Sequence, residues 1–177
     1  MSYAEHVDEK TGASLQPMLF SKHGEAARRE RVERIIASTM TFPMEKILKR
    51  YQRDLDLPWD VVLEHEREIK RYLALKVINE DKIIRMEGAV DELWHTFLMF
   101  THEYHKFSLL VAGDYIHHTP AAEGEDPDRG REHYRNFWDG YLAVFGEEPP
   151  AHLWPRPMAA DTSAGASSCL ARDSVIG

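Results

Sequence analysis

The sequence predicts an all-α fold, a single-domain bundle of about five helices around a buried central helix, with flexible N- and C-terminal segments. Three observations predict it. Apolar residues recur at three- and four-residue steps in one stretch after another, and Pro and Gly fall between those stretches rather than inside them. No run of β-branched residues alternates as a strand would require. A chain of 177 residues has room for one full core plus tails.

The elements follow in order. Residues 1–23 lack periodicity and read as a flexible arm. From Glu25, Val32, Ile35, Ile36 and Met40 keep helical spacing until Phe42-Pro43 interrupts them. Met44, Ile47, Leu48 and Tyr51 mark a second amphipathic stretch. Pro58 closes it, and Asp60 is suited to cap a third helix whose core face holds Val62, Ile69, Leu73 and Val77 beside Tyr72. A fourth stretch runs from about Ala89 to Gly113, a natural C-terminal stop. Because Leu93, Trp94, Phe97, Phe100, Tyr104, Phe107 and Leu110 leave it apolar nearly all round, it is expected to be the central helix. A polar loop then leads to Tyr134, Phe137, Trp138, Tyr141 and Phe145, a last helix stopped by Gly146. The helical domain is placed at 24–155, and the Pro-, Ala-, Ser- and Gly-rich segment 156–177 reads as a flexible tail.

Composition narrows the function classes. A net charge of −8 argues against a nucleic-acid or anionic-membrane surface, which needs clustered Lys and Arg. The one cysteine, Cys169, rules out an intramolecular disulfide and a multi-thiolate zinc site. The first residues do not have the apolar core of a signal peptide, and no apolar run approaches the ~20 residues that span a bilayer. The expected location is cytoplasmic. Phosphate-binding glycine loops, a serine nucleophile elbow and Cys-x-x-Cys pairs are all missing from the sequence.

The concentrated chemistry lies between Asp91 and His118. At ~100° per residue, Asp91, His95 and His102 share one stripe of a continuous helix. Asp91 and His95 are one turn apart, and Glu92 with His95 makes the Glu-x-x-His spacing that carboxylate metal sites in bundles use. A carboxylate buried there needs a partner, which could be a metal. His117 and His118 follow the Gly113 break, and as neighbours only one of them can point at a given centre. One carboxylate and two histidines make a facial set with open positions that suits non-haem iron. Zinc would accept the same donors, and manganese is a further alternative. The structural alternative stays open: Asp91 could pair with Arg85 or favour a helix N-terminus, His95 could be a satisfied core histidine, and His117 or His118 could cap a helix C-terminus. Glu66 could complete a site or snorkel outward, and His102 and His105 read as exposed.

The stretch Val90-Asp-Glu-Leu-Trp-His95, with Thr101, Tyr104, Phe107 and Gly113-Asp-Tyr-Ile-His-His-Thr-Pro120, resembles the glycine-rich domain-containing protein-like family. Glu68-Ile-Lys-Arg-Tyr-Leu73 is similar to an upstream segment of that family. The resemblance covers roughly residues 60–120. The glycine-rich region is missing, and Phe97 stands where plant-type members have a histidine, so the chain looks like a short bacterial-type single-domain form. What the resemblance implies is that Asp91, Trp94, His95, Tyr104, His117 and His118 are the marked positions; it implies no reaction.

Two functions are expected from these residues. In the first, the protein is a small helical metal-binding oxidoreductase that uses a divalent transition metal, iron before zinc or manganese, on a small molecule or peptide. Asp91, His95, His117 and His118 would be the metal set, Glu92 a ligand-orienting group or base, and Tyr104 a proton donor. In the second, it is a non-catalytic helical module that binds a protein or peptide partner and keeps the cluster for structure. Neither involves nucleic acid or a membrane.

Overall fold

The computed structural model describes residues 16–86, 88–118 and 126–157, with side chains from residue 24 onward. The described residues form six helices and no strand: α1 (Gln16–Thr41), α2 (Glu45–Leu55), α3 (Trp59–Ile78), α4 (Asp91–Met99), α5 (Thr101–Ala112) and α6 (Pro127–Phe145). None is long and apolar enough to cross a membrane. The all-α fold follows from the periodicity, but three details differ from the sequence reading.

First, α1 begins at Gln16, inside the segment read as an arm, although residues 16–23 show no apolar repeat to announce it. Residues 1–15 lie outside the described set, as does the tail beyond Pro157. At the tail boundary, Arg156 pairs with Glu148, and its guanidinium lies over the Trp138 ring.

Second, the central helix is α3. It alone packs against every other helix, and α6 packs on it alone. Its core face carries Val62, Ile69, Tyr72, Leu73 and Val77, all buried. The helix opens on Pro58 at the N-cap with Asp60 inside the first turn, so Asp60 contributes charge to the helix start rather than the cap. Glu68 is fully buried on α3. Its carboxylate accepts from the Tyr141 hydroxyl at 3.0 Å, the Trp154 indole at 3.0 Å and Arg67 at 3.1 Å, which ties α6 and the C-terminal turn to α3.

Third, the stretch from Ala89 to Gly113 is two helices. Phe100 leaves helical geometry (φ −87°, ψ 62°), ending α4 and starting α5. In one continuous helix, residues ten apart stand ~15 Å apart along the axis. Yet the Phe97 and Phe107 rings meet at 5.3 Å, and the Trp94 indole reaches the Tyr104 hydroxyl at 3.0 Å. The break folds α5 back across α4, so apolar side chains expected to face a surrounding bundle split between core and surface. Phe97, Tyr104 and Phe107 are buried, whereas Met99, Leu109 and Leu110 are exposed. No Gly or Pro marks the break, which explains why the periodicity reads through it.

The stops after α5 and α6 are as the sequence predicts, with Gly113 (φ 76°) and Gly146 (φ 72°) in the left-handed conformation. A third glycine fixes the entry to α4. Gly88 has φ 104°, and a Cβ there would fall 2.3 Å from the Leu153 carbonyl oxygen, so the 88–90 turn and the C-terminal turn touch backbone to backbone. Gly88→Ala is therefore expected to cost roughly 1–3 kcal/mol. Urea denaturation monitored by circular dichroism measures it, and an unchanged midpoint would contradict this close approach.

Candidate metal centre

Asp91 opens α4, and His95 stands one turn further on, so both side chains leave the same face. The Asp91 amide bonds the Gly88 carbonyl at 3.4 Å, and buried Val90 anchors the turn before it. The third group arrives from the far end of α5. After Gly113 the chain leaves the helix, and the Asp114 carboxylate accepts the Tyr115 amide at 2.7 Å. Residues 115–118 then run without helical structure, and their burial alternates. Ile116 and His118 turn inward, whereas Tyr115 and His117 turn outward with their rings 5.1 Å apart.

One buried hydroxyl holds this returning segment in place. Tyr104 is fully buried. Its oxygen accepts from Trp94 Nε1 at 3.0 Å, and its proton goes to the Ile116 carbonyl at 2.6 Å. Two residues beyond Ile116, the His118 imidazole stands edge-on against the Trp94 indole, centroids 4.3 Å apart.

The result is a convergent group. His118 Nε2 lies 3.4 Å from one Asp91 carboxylate oxygen, and His95 Nδ1 lies 3.7 Å from the other. The imidazole centroids are 4.8 Å apart, and one ligand-capable atom from each of the three residues lies within 4.8 Å of the others. Ligand atoms around a cation with ~2.1 Å bonds stand about 3.0–3.4 Å apart at octahedral or tetrahedral angles. Closing the group onto a cation therefore needs only small side-chain rotations. His95 has room for them, with 47% of its side chain exposed. Oxygen and imidazole nitrogen donors without thiolate fit a divalent transition metal.

The group is not the dry interior that the sequence suggested. The Asp91 side chain is 34% exposed and that of His118 13%. Water can reach the carboxylate, so the case for a ligand rests on convergence of donors rather than on the cost of a buried charge. The charge of Asp91 still reaches inward: with burial as the larger cause, it pushes the ionisation of Tyr72 upward.

The other residues singled out in the sequence lie elsewhere. His117 is on the outward side of the segment. The helix break removes His102 from the stripe it would share with Asp91, and both His102 and His105 are exposed. Glu92 is exposed and outside the converging donors. Its charge is felt by Tyr51, whose pKa burial, and secondarily Glu92, pushes up to about 12. Glu66 pairs with Lys70 at 2.7 Å. Burial likewise holds the Tyr104 phenol up at about 12, and its one proton is committed to Ile116, so the geometry makes it a positioning group rather than a proton donor. Sequence reasoning missed Glu68 as a buried hub. Its place between Ile69 and His65 on the most buried helix was the available signal.

The fold and the group together define an all-helical protein with a half-open Asp–His–His cluster between a helix start and a returning segment. The UCP032817-like family model matches residues 30–143, nearly two thirds of the chain and all three cluster residues, and the chain belongs to that family. This corrects the resemblance to the glycine-rich domain-containing protein-like family, which rested on short motifs within residues 60–120, whereas the family match extends over most of the helical domain. No curated protein and no solved structure matches the chain.

Removing the Tyr104 hydroxyl strands a buried indole N–H and a buried carbonyl. Tyr104→Phe is expected to lose roughly 1–3 kcal/mol of stability, measured by chemical denaturation. A variant as stable as the parent would show that this bridge does not hold the returning segment.

Proposed function

We propose that this protein binds a divalent transition metal through Asp91, His95 and His118 and acts as a non-haem iron oxidoreductase on a small molecule or peptide. The observation that supports the reading is the convergence of one carboxylate and two imidazoles, drawn from segments 27 residues apart in sequence, on a point open to solvent. Three protein donors on one side of a cation leave positions for water, substrate or an oxidant, and iron in such a site supplies one-electron chemistry when bound. Zinc and manganese suit the same donors. His117 and Glu92 are not ligands in this reading, and Tyr104 acts by holding His118 in place.

A specific observation favours a second reading. Asp91 already has both carboxylate oxygens near imidazole nitrogens and is partly solvated, so the cluster can stand without a metal. Exposed Met99, Leu109 and Leu110 would then serve a protein partner.

Metal analysis of untagged protein separates the two. A stoichiometric metal is expected, with affinity falling about 100-fold or more in Asp91→Ala and His118→Ala, about tenfold in Tyr104→Phe, and not at all in His117→Ala. Iron in the purified protein supports the oxidoreductase reading. Zinc alone, with iron refused on reconstitution, overturns that part and keeps the metal centre. Protein that neither contains nor takes up any of the three metals leaves the partner-binding reading.

A further inference from the structure

Lys76 lies in the last turn of α3 and is half-buried. Its ammonium lies over the Trp94 ring at 5.9 Å from the centroid, and the same indole takes the edge of His118 at 4.3 Å. One turn before it, Tyr72 packs on Trp94 at 5.6 Å and feels the Asp91 charge. Lys76 is therefore separated from the Asp–His–His group by a single aromatic side chain.

No carboxylate among the described residues lies within ion-pair distance of this ammonium. Its natural helical partner, Glu80, is turned to Arg31 at 3.2 Å. In a chain of net charge −8, where Arg31, Lys49, Arg50, Arg67, Lys70 and Arg71 all have carboxylate partners, an unpaired half-buried lysine stands apart. Burial lowers its pKa, and no nearby acid offsets that effect. The carbonyl end of α3 favours a cation, but an ammonium extended into water would serve that purpose equally.

Charge completes the argument. A divalent cation held by one carboxylate and two neutral imidazoles keeps one positive charge, and Lys76 adds a second. Two positive charges on either side of an indole call for two negative charges held apart, rather than for one compact dianion.

We infer that the ligand of this site is a small dicarboxylate, with one carboxylate on the open positions of the cation, the other on the Lys76 ammonium, and its carbon chain against Trp94. The inference rests on the metal-binding reading above. It is tested by calorimetric titration of succinate into the full-length protein, with and without zinc(II), alongside Lys76→Met and Lys76→Gln. Zinc affinity should be the same in all three proteins, because Lys76 is not a ligand. Succinate should bind the zinc-loaded parent, bind the zinc-free parent at least tenfold more weakly, and lose at least tenfold in affinity in whichever lysine variant keeps the parent's circular dichroism. Acetate, which can reach only the cation, should bind the parent and the variants alike.

If zinc binds and succinate does not, or succinate binds the variants as well as the parent, the dicarboxylate inference falls and the metal centre stands. The same holds if inorganic phosphate matches succinate. If zinc itself does not bind the parent, the metal reading falls and takes this inference with it.

Discussion

The Tyr104 hydroxyl is the interaction on which the candidate centre depends. A backbone turn alone could place residues 114–118 in many positions beyond α5. A single buried oxygen, accepting from Trp94 on α4 and donating to the Ile116 carbonyl, selects one. Both of its partners would be left in apolar surroundings without it, so the bridge has directional strength that aromatic packing lacks. The same bridge fixes the pitch of α5 against α4, since Trp94 and Tyr104 belong to different helices only because of the Phe100 break.

Around that bridge the molecule is braced from α3. Glu68 gathers the Tyr141 hydroxyl and the Trp154 indole, and Tyr72, Phe137 and Trp154 stack into one aromatic block with Trp94 at its edge. On the other side, the Tyr51 hydroxyl meets His65 Nδ1 at 2.8 Å, joining α2 to α3. Burial depresses the ionisation of that histidine, so protonation there opposes folding, and stability is lost as pH falls from the ordinary histidine value toward the lowered one. The indole of Trp94 thus sits where the rigid block ends and the half-open cluster begins.

How much of this could be read in the sequence divides along physical lines. Helical periodicity carries the all-α fold, and αL glycines carry the ends of α5 and α6, because both are local signals. The i, i+4 spacing places Asp91 with His95, and the Gly113 stop lets the chain return. The choice of His118 over His117 is set by the alternation after Tyr115, which depends on Ile116 being buried and hence on tertiary packing. The Phe100 break was illegible for the same reason: an unbroken apolar pattern is compatible with one long helix or two folded together, and only the contacts of Phe97 with Phe107 decide. Misreading that break also put His102 on the wrong stripe and overstated the burial of Asp91. The start of α1 at Gln16 has no signal in the apolar pattern at all.

The Phe100 break carries a thermodynamic implication. A peptide of residues 91–118 cut from the protein would have no reason to bend at Phe100, and as one straight rod it would carry its distal imidazoles tens of ångströms from Asp91. Co-localisation of the three donors is thus a property of the folded chain, absent from its unfolded ensemble. Whatever bridges Asp91 and His118 must raise the melting temperature in proportion to the logarithm of its concentration, and whatever loosens the hinge must weaken its grip.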